Sequence, residues 1–200
     1  MPCYAFKGIV PAVAPGSFLH PLASLIGDVI VGTACYIGPG ASLRGDLGRI
    51  VVEDGVSIQD NATVHVSGDS DTVIRRGATL AHGAVVHGCE IGENVLVGIN
   101  AVVLDQARIG AESLVAALAL VGHGTVVPPG SLVAGTPGRV LRRLAPDEIT
   151  WRNDPDGVYR QLAGDGLQSL QEVPPLLEPE PNRARIAGYA AAIRLQQKDR

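Results

Sequence analysis

The chain has 200 residues, with 16 Lys and Arg against 20 Asp and Glu, a formal net charge of −4, 46% hydrophobic residues and only 4% aromatics. Such a charge, with no basic cluster larger than an isolated pair such as Arg142-Arg143, excludes a protein that tracks a row of phosphates, and the apolar content excludes disorder despite 25 Gly and 14 Pro. No apolar run is long enough to span a membrane and Met1-Pro2-Cys3-Tyr4 leads into no export signal, so a cytoplasmic protein without membrane or nucleic-acid partners is expected.

From Leu25 onward one aliphatic residue recurs every six positions: Leu25, Val31, Ile37 and Leu43, then Val52, Ile58 and Val64, then Ile74, Leu80 and Val86. After a one-residue slip the series resumes at Ile91, Val97, Val103, Ile109, Val115, Val121, Val127 and Val133. The breaks fall at residues 44–51 and 65–73. A period of six matches neither an α-helix nor an alternating strand. It suits short strands joined by tight turns, three to a triangular coil, which predicts an all-β solenoid of about six coils, stacked at the usual ~4.8 Å strand spacing. Cys3, Cys35 and Cys89 are too widely spaced for a disulfide framework and read as reduced thiols, each a small core residue.

The repeat ends at Ala134-Gly135-Thr136-Pro137, dividing a solenoid domain over residues 1–140 from a tail over 141–200. Pro146-Asp147-Glu148 reads as a helix start, with proline in the first turn and acids at the positive end of the dipole. The tail is predicted to be helical over 147–172, with an interruption at Asn153-Asp154-Pro155-Asp156-Gly157, and again over 183–200, where Ile186, Tyr189, Ala190, Ile193 and Leu195 have roughly helical spacing.

Three of the five histidines, His65, His82 and His87, fall close together, and the repeat places them. His65 and His87 each follow an inward residue of the same face in successive coils, so they stack one strand spacing apart, with Arg44 one coil below. His82 follows Leu80 on the preceding face and cannot join them within one chain. The three are then either interface histidines hydrogen-bonded across subunits, or a metal site completed when a second copy presents its His82. Three neutral imidazoles with one open position are the ligand set of a catalytic Zn²⁺. His20 and His123 lie outside the cluster and read as structural or exposed.

The hexapeptide period resembles that of the hexapeptide-repeat family, which implies a left-handed parallel β-helix, here followed by the C-terminal α-helices that the tail's own residues predict. Within that family, Arg44-Gly45-Asp46, Val56-Ser57-Ile58-Gln59-Asp60-Asn61, His65, and Ala81-His82-Gly83-Ala84-Val85-Val86-His87-Gly88-Cys89 resemble the signature of γ-class carbonic anhydrases and their relatives. The resemblance implies a homotrimer in which His65 and His87 of one subunit and His82 of the next hold Zn²⁺, with Fe²⁺ and Co²⁺ as other ions that histidine ligation suits. It also implies that Gln59 hydrogen-bonds the metal-bound hydroxide and that Arg44, Asp46 and Asp60 form an ionic network nearby. A purely structural set of ion pairs is the other reading of those three, and both roles can coexist. Tyr159 resembles a tail tyrosine that folds toward the site in some relatives; simple packing is its alternative.

A metal hydroxide can attack CO₂ or a thioester carbonyl. Well-characterised γ-class enzymes place an acid directly after the Arg-x-Asp motif, for proton relay. This chain has Leu47 there, leaving Asp69 or Asp71 as weaker relays. The N-terminus, the run Arg44–Val52 and the tail with Pro174-Pro175-Leu176 resemble the branch of the phenylacetic acid degradation and carnitine-operon proteins, which is associated with coenzyme A thioester metabolism. The expectation is a zinc-dependent CoA-thioesterase linked to phenylacetate degradation. The alternatives are reversible CO₂ hydration, a metal-free CoA acyltransferase ending its coil in Val133-Ala134-Gly135-Thr136-Pro137, and an inert assembly subunit.

Overall fold

The computed structural model describes residues 2–153 and 157–186. The chain winds as a left-handed parallel β-helix of about seven turns followed by one α-helix. Its strands, most of them two or three residues long, form a twelve-stranded and an eight-stranded sheet. These make three flat faces, because the long strands Ser24–Val31 and Ser42–Val52 bend from the first face into the second and tie both into one sheet. The third face carries the eight-stranded sheet, seven parallel strands from Phe18–Leu19 up to Ser131–Ala134 and the returning strand Arg139–Arg143 at its edge.

The six-residue period is the core. From Leu25 to Val133 every inward aliphatic residue of the period is buried, and the three columns line one continuous apolar rod with small residues such as Ala41, Ala62, Ala84 and Ala101 at its corners. In-register parallel pairing stacks like on like, as in Ile37, Ile58 and Leu80 on the third face. Cys35 and Cys89 fill core positions as expected, and burial pushes the Cys89 thiol up to about 12.

The coil number exceeds the sequence-based expectation by one. Cys3–Tyr4 pairs with Leu25-Ile26, Ala12–Val13 with Ile30-Val31, and Phe18–Leu19 with Tyr36-Ile37, so an N-terminal coil precedes the first regular one. It escapes the period because a turn at Phe6 to Ile9 separates Cys3 from Val13, and because Cys3, Val13 and Leu19 at the open end of the rod are only partly buried. At the other end, Arg139–Arg143 turns back as an antiparallel strand against Ser131–Ala134, so the sheet extends past residue 140.

The tail is less helical than its sequence suggests. Pro146–Glu148 makes only one 3₁₀ turn, closed by Glu148, whose carboxylate accepts from the Ala145 N–H at 2.8 Å and from Arg142 at 2.7 Å. The chain then runs extended, since only so can Leu144, Ile149 and Trp151 lie across Ala81, Leu96, Leu114 and Leu132 on the third face. Trp151 is 5% exposed and donates from its indole N–H to the Asn94 carbonyl at 2.8 Å. One α-helix follows, Val158–Ser169, packed on Phe18–Leu19 and Tyr36–Ile37. Of the second predicted helical stretch, residues 187–200 lie outside the described residues.

Candidate metal centre

Two corners of the prism carry the histidines. His65 and His87 end the strands Thr63–His65 and Val85–His87 and pair in register across the ladder, at the corner between the first and second faces. Their rings meet edge to face with centroids 4.9 Å apart, and Nδ1 of His65 lies 3.0 Å from Nε2 of His87. From the coil below, Asp46 approaches Nε2 of His65 at 3.0 Å and holds the Arg44 guanidinium at 2.6 Å. Burial alone would raise the Asp46 carboxyl, but the hydrogen bonds from Arg44 and His65 outweigh it and hold the group below the usual carboxylate range. From the coil above, Asp105 approaches Nδ1 of His87 at 2.9 Å.

The two breaks in the repeat belong to this corner. Residues 44–51 continue as strand, with Leu47 59% exposed at the crest, while residues 66–71 form a loop beside it. The loop returns Ser67, whose hydroxyl donates to Asp105 at 2.7 Å, and Ser70, whose hydroxyl is 3.2 Å from that of Ser67. The Ser67 hydrogen bond is the main reason that the Asp105 carboxyl also lies below its ordinary range; burial opposes it and the His87 contact reinforces it.

His82 stands at a different corner, between the third and first faces, where its Nδ1 lies 2.7 Å from Asp60, its in-register neighbour one coil below. Within one chain Arg44 pairs with Asp46 and Asp60 with His82, so the expected Arg44, Asp46 and Asp60 set is divided between two corners. Among the described residues no three His, Cys, Asp or Glu side chains gather to hold a metal ion within a single chain.

Beside Asp60, Gln59 is 2% exposed and lies next to the Tyr159 side chain, which helix Val158–Ser169 delivers to the third face. Tyr159 packs on Tyr36 at 5.5 Å between ring centroids, and Tyr36 stacks on Phe18 at 5.5 Å. Burial, then the charge of Asp60, raises Tyr36; burial, then Tyr36 and Asp60, raises Tyr159, and the neighbouring Gln59 side chain opposes this. Both phenols therefore stay protonated near neutral pH.

Gly55 secures this arrangement. Its carbonyl accepts from the Asn153 amide at 2.5 Å, and the Arg160 guanidinium occupies the space that a Cβ on Gly55 would fill. Its φ of +68° is in the left-handed region, so Gly55→Ala adds backbone strain of about 1–2 kcal/mol to the displacement of Arg160. The substitution is expected to loosen the tail while the solenoid remains folded. Trp151 is the one tryptophan in the chain, so its emission should shift to the red with the β circular dichroism unchanged. An unchanged emission would show that the tail does not depend on Gly55.

Sequence reasoning missed Asp105 and Ser67. Asp105 sits in Leu104-Asp105-Gln106, where it reads as an ordinary turn acid, and Ser67 lies in a break of the repeat. The available signal was the column itself: Leu104 extends the register of His65 and His87, which puts the next residue against His87. Tyr36, masked by its place in a short core strand, was missed as well. His20 and His123 take no part in either corner; His20 accepts from the Leu22 N–H at 3.1 Å.

A stacked coil of six-residue units with in-register histidines at its corners defines a hexapeptide-repeat protein. Residues 88–123 match the family model described as bacterial transferase hexapeptide (six repeats). The chain is 46% identical to the carnitine operon protein CaiE of Escherichia coli K12 over 188 residues, 94% of this chain and 96% of that one, and 45% identical to CaiE of Salmonella agona over 94% and 95%. It belongs to the carnitine-operon branch of the γ-class carbonic anhydrase-like hexapeptide-repeat family. Among solved structures, a hexapeptide transferase family protein from Anaplasma phagocytophilum is 35% identical, with TM-score 0.77 over 81% of this chain and 96% of that one. A putative acetyltransferase from Bacillus cereus is 29% identical, with TM-score 0.76 over 82% and 94%.

Proposed function

We propose that the chain is a metal-dependent hydrolase of the γ-carbonic anhydrase type, acting on a coenzyme A thioester such as those of phenylacetate breakdown, as a homotrimer whose sites lie between subunits. The observation that carries this reading is the 3.0 Å approach of His65 Nδ1 to His87 Nε2. Each of these imidazoles turns its other nitrogen to a carboxylate, and carboxylates only accept. The two facing nitrogens are thus the lone-pair sides, and such a pair at 3.0 Å calls for a cation between them. The spacing is close to the ~3.3 Å edge of a tetrahedral zinc site with nitrogens ~2.0–2.1 Å from the metal. The donor set therefore fits Zn²⁺, and Fe²⁺ or Co²⁺ equally by chemistry.

His65 and His87 supply two ligands and His82 of a neighbouring copy the third, its Nδ1 held by Asp60 and its Nε2 left outward. Held by these residues, a divalent metal would supply a water acidified toward neutrality, the kind of nucleophile a carbonyl carbon requires. The chain's own residues do the rest. Asp46 orients His65 and keeps the Arg44 charge beside the site, Asp60 orients His82, and the buried Gln59, next to Tyr159, offers an amide at the edge of the His82 corner. The Phe18, Tyr36 and Tyr159 stack gives that corner an apolar wall suited to an acyl group.

CO₂ hydration is the second reading, supported by the same donor set, and the exposed Leu47 where a relay acid would serve weighs against it. Metal analysis of the purified protein, with CO₂ hydration and CoA-thioester hydrolysis assays, separates the readings. The expected result is about one metal ion per chain and thioester hydrolysis that His82→Ala removes. Metal-free protein whose acetyl transfer is unaffected by His82→Ala would overturn the proposal in favour of an acyltransferase. Metal without either hydrolysis or hydration would mark an inert subunit.

A further inference from the structure

The column of side chains at the His65 and His87 corner reads upward as Asp46, His65, His87 and Asp105, and Ser67 reaches up to Asp105 from the loop after His65. Left to themselves, two stacked neutral imidazoles at 3.0 Å would satisfy each other, one donating N–H and the other accepting. In that His–His hydrogen bond one facing nitrogen would carry the proton and the other would spend its lone pair accepting it, leaving neither open to a metal. Asp46 cannot prevent it, because it fixes only the proton on His65 Nε2 and leaves His65 Nδ1 free to accept from His87. The proton on His87 must be drawn to the far side of its ring, and Asp105 is the group there.

We propose that Asp105 is a positioning residue that holds His87 as its Nδ1–H tautomer and thereby keeps Nε2, beside His65 Nδ1, open for the metal. The assignment rests on the metal reading above for its purpose, but its geometry is independent of it. One oxygen, Oδ1 of Asp105, receives both the His87 Nδ1 contact at 2.9 Å and the Ser67 hydroxyl at 2.7 Å. A cradle around it fixes the carboxylate. Gly88, at φ +54°, follows His87, and a Cβ there would collide with Asp105 Oδ1 and come within 2.9 Å of Ser70 Oγ. Its N–H is occupied with Thr72 Oγ1 at 2.9 Å, and Thr72 in turn donates to the His65 carbonyl at 2.6 Å. The break at residues 66–71 thus has a purpose in the fold: it brings Ser67 against a carboxylate from two coils above His65. The two imidazoles are held in opposite tautomers by carboxylates from the coils that flank them.

Histidine-selective ¹⁵N NMR of the metal-free protein at pH 8 tests this directly. His87 is expected to be protonated on Nδ1 in the parent and on Nε2 in Asp105→Ala, while His65 keeps its Nε2 proton. Ser67→Ala, which leaves the carboxylate but frees it, should give a mixture at His87, and it carries the test if Asp105→Ala does not fold. Zn²⁺ affinity by chelator competition should fall about 10–100-fold in Asp105→Ala and less in Ser67→Ala. An unchanged His87 tautomer in these variants would overturn the assignment, whether or not the parent binds metal. A tautomer switch in a parent that takes up no Zn²⁺ would leave Asp105 its role and remove the metal reading instead.

Discussion

His82→Ala and His65→Ala, each expected to be inactive alone, should restore activity when denatured together and refolded as mixed trimers. The reason is the separation of the two corners. His65 and His87 lie where the first face meets the second, and His82 where the third meets the first, so no bending of side chains brings them together in one chain. In a closed three-fold ring each contact is heterologous and joins one corner of one copy to the other corner of the next. A His82→Ala subunit still offers an intact His65 and His87 pair, and a His65→Ala subunit still offers an intact His82. Wherever the first type meets the second in the right order, a complete site forms. Random assembly from equal amounts gives about a quarter of the parent's sites, since half the subunits at each position, independently, are of the needed kind. Each variant alone should lose metal affinity by about a hundredfold or more, because removing a ligand exceeds the loss from removing a second partner behind it. Recovery of metal and activity together in the mixture is the expected result. Mixed trimers seen by native mass spectrometry without recovery would show that the site is not shared between subunits.

That experiment uses a placement that was already legible in the sequence. The period of six determines which residues share a face, and His65 and His87 pair in register as that count requires, with Arg44 beneath them. What the count misses is whatever departs from one aliphatic residue per unit. The N-terminal coil departs because its inward residues cap an open end and need not be fully buried. The strand Arg139–Arg143 departs because all its residues are exposed and it pairs by backbone alone. Between Glu148 and Trp151 helix signals were overridden, since burying Trp151 and Ile149 on the third face stabilises more than one further helical turn would.

At the site the division follows the same rule. Asp46 lies in the break at 44–51 and is suggested only by resemblance, whereas the residues placed by the ladder, His65, His82, His87 and Asp60, can be positioned by counting, because each is a fixed number of units from its neighbours. Ser67 cannot, because it reaches Asp105 from a loop whose path depends on packing against Gly48 and Val66. Tyr159 could be suspected only by resemblance, and its place beside Gln59 depends on Leu144, Ile149 and Trp151 lying across Leu96, Leu114 and Leu132 in a way that no local pattern encodes.

The period also determines where the fold is least tolerant. Ile58→Ala is expected to lower stability by about 2–5 kcal/mol, near the upper end of that range. The size of such a loss depends on how far the surroundings can collapse into the space left behind, and here they can collapse very little. Ile58 is fully buried in register between Ile37 and Leu80. Those neighbours are held one strand spacing away on either side by backbone hydrogen bonds such as Gly38 N–H to the Ile58 carbonyl at 2.8 Å and Gln59 N–H to the Leu80 carbonyl at 2.9 Å. Closing the void would mean breaking ladders on all three faces. Ile58→Val, which removes one methylene, should cost about 0.5–1.5 kcal/mol, so the pair of variants reports how rigid the rod is. For a chain of this length each kcal/mol corresponds to about 2–4 °C in Tm, read at fixed protein concentration because assembly adds to apparent stability. The effect reaches the site as well, since Ile58 precedes Gln59, whose amide is buried against Tyr159. Thermal unfolding of the alanine variant within a degree or two of the parent would mean that the coils can close on one another, and that the stacked register is softer than its hydrogen bonds imply.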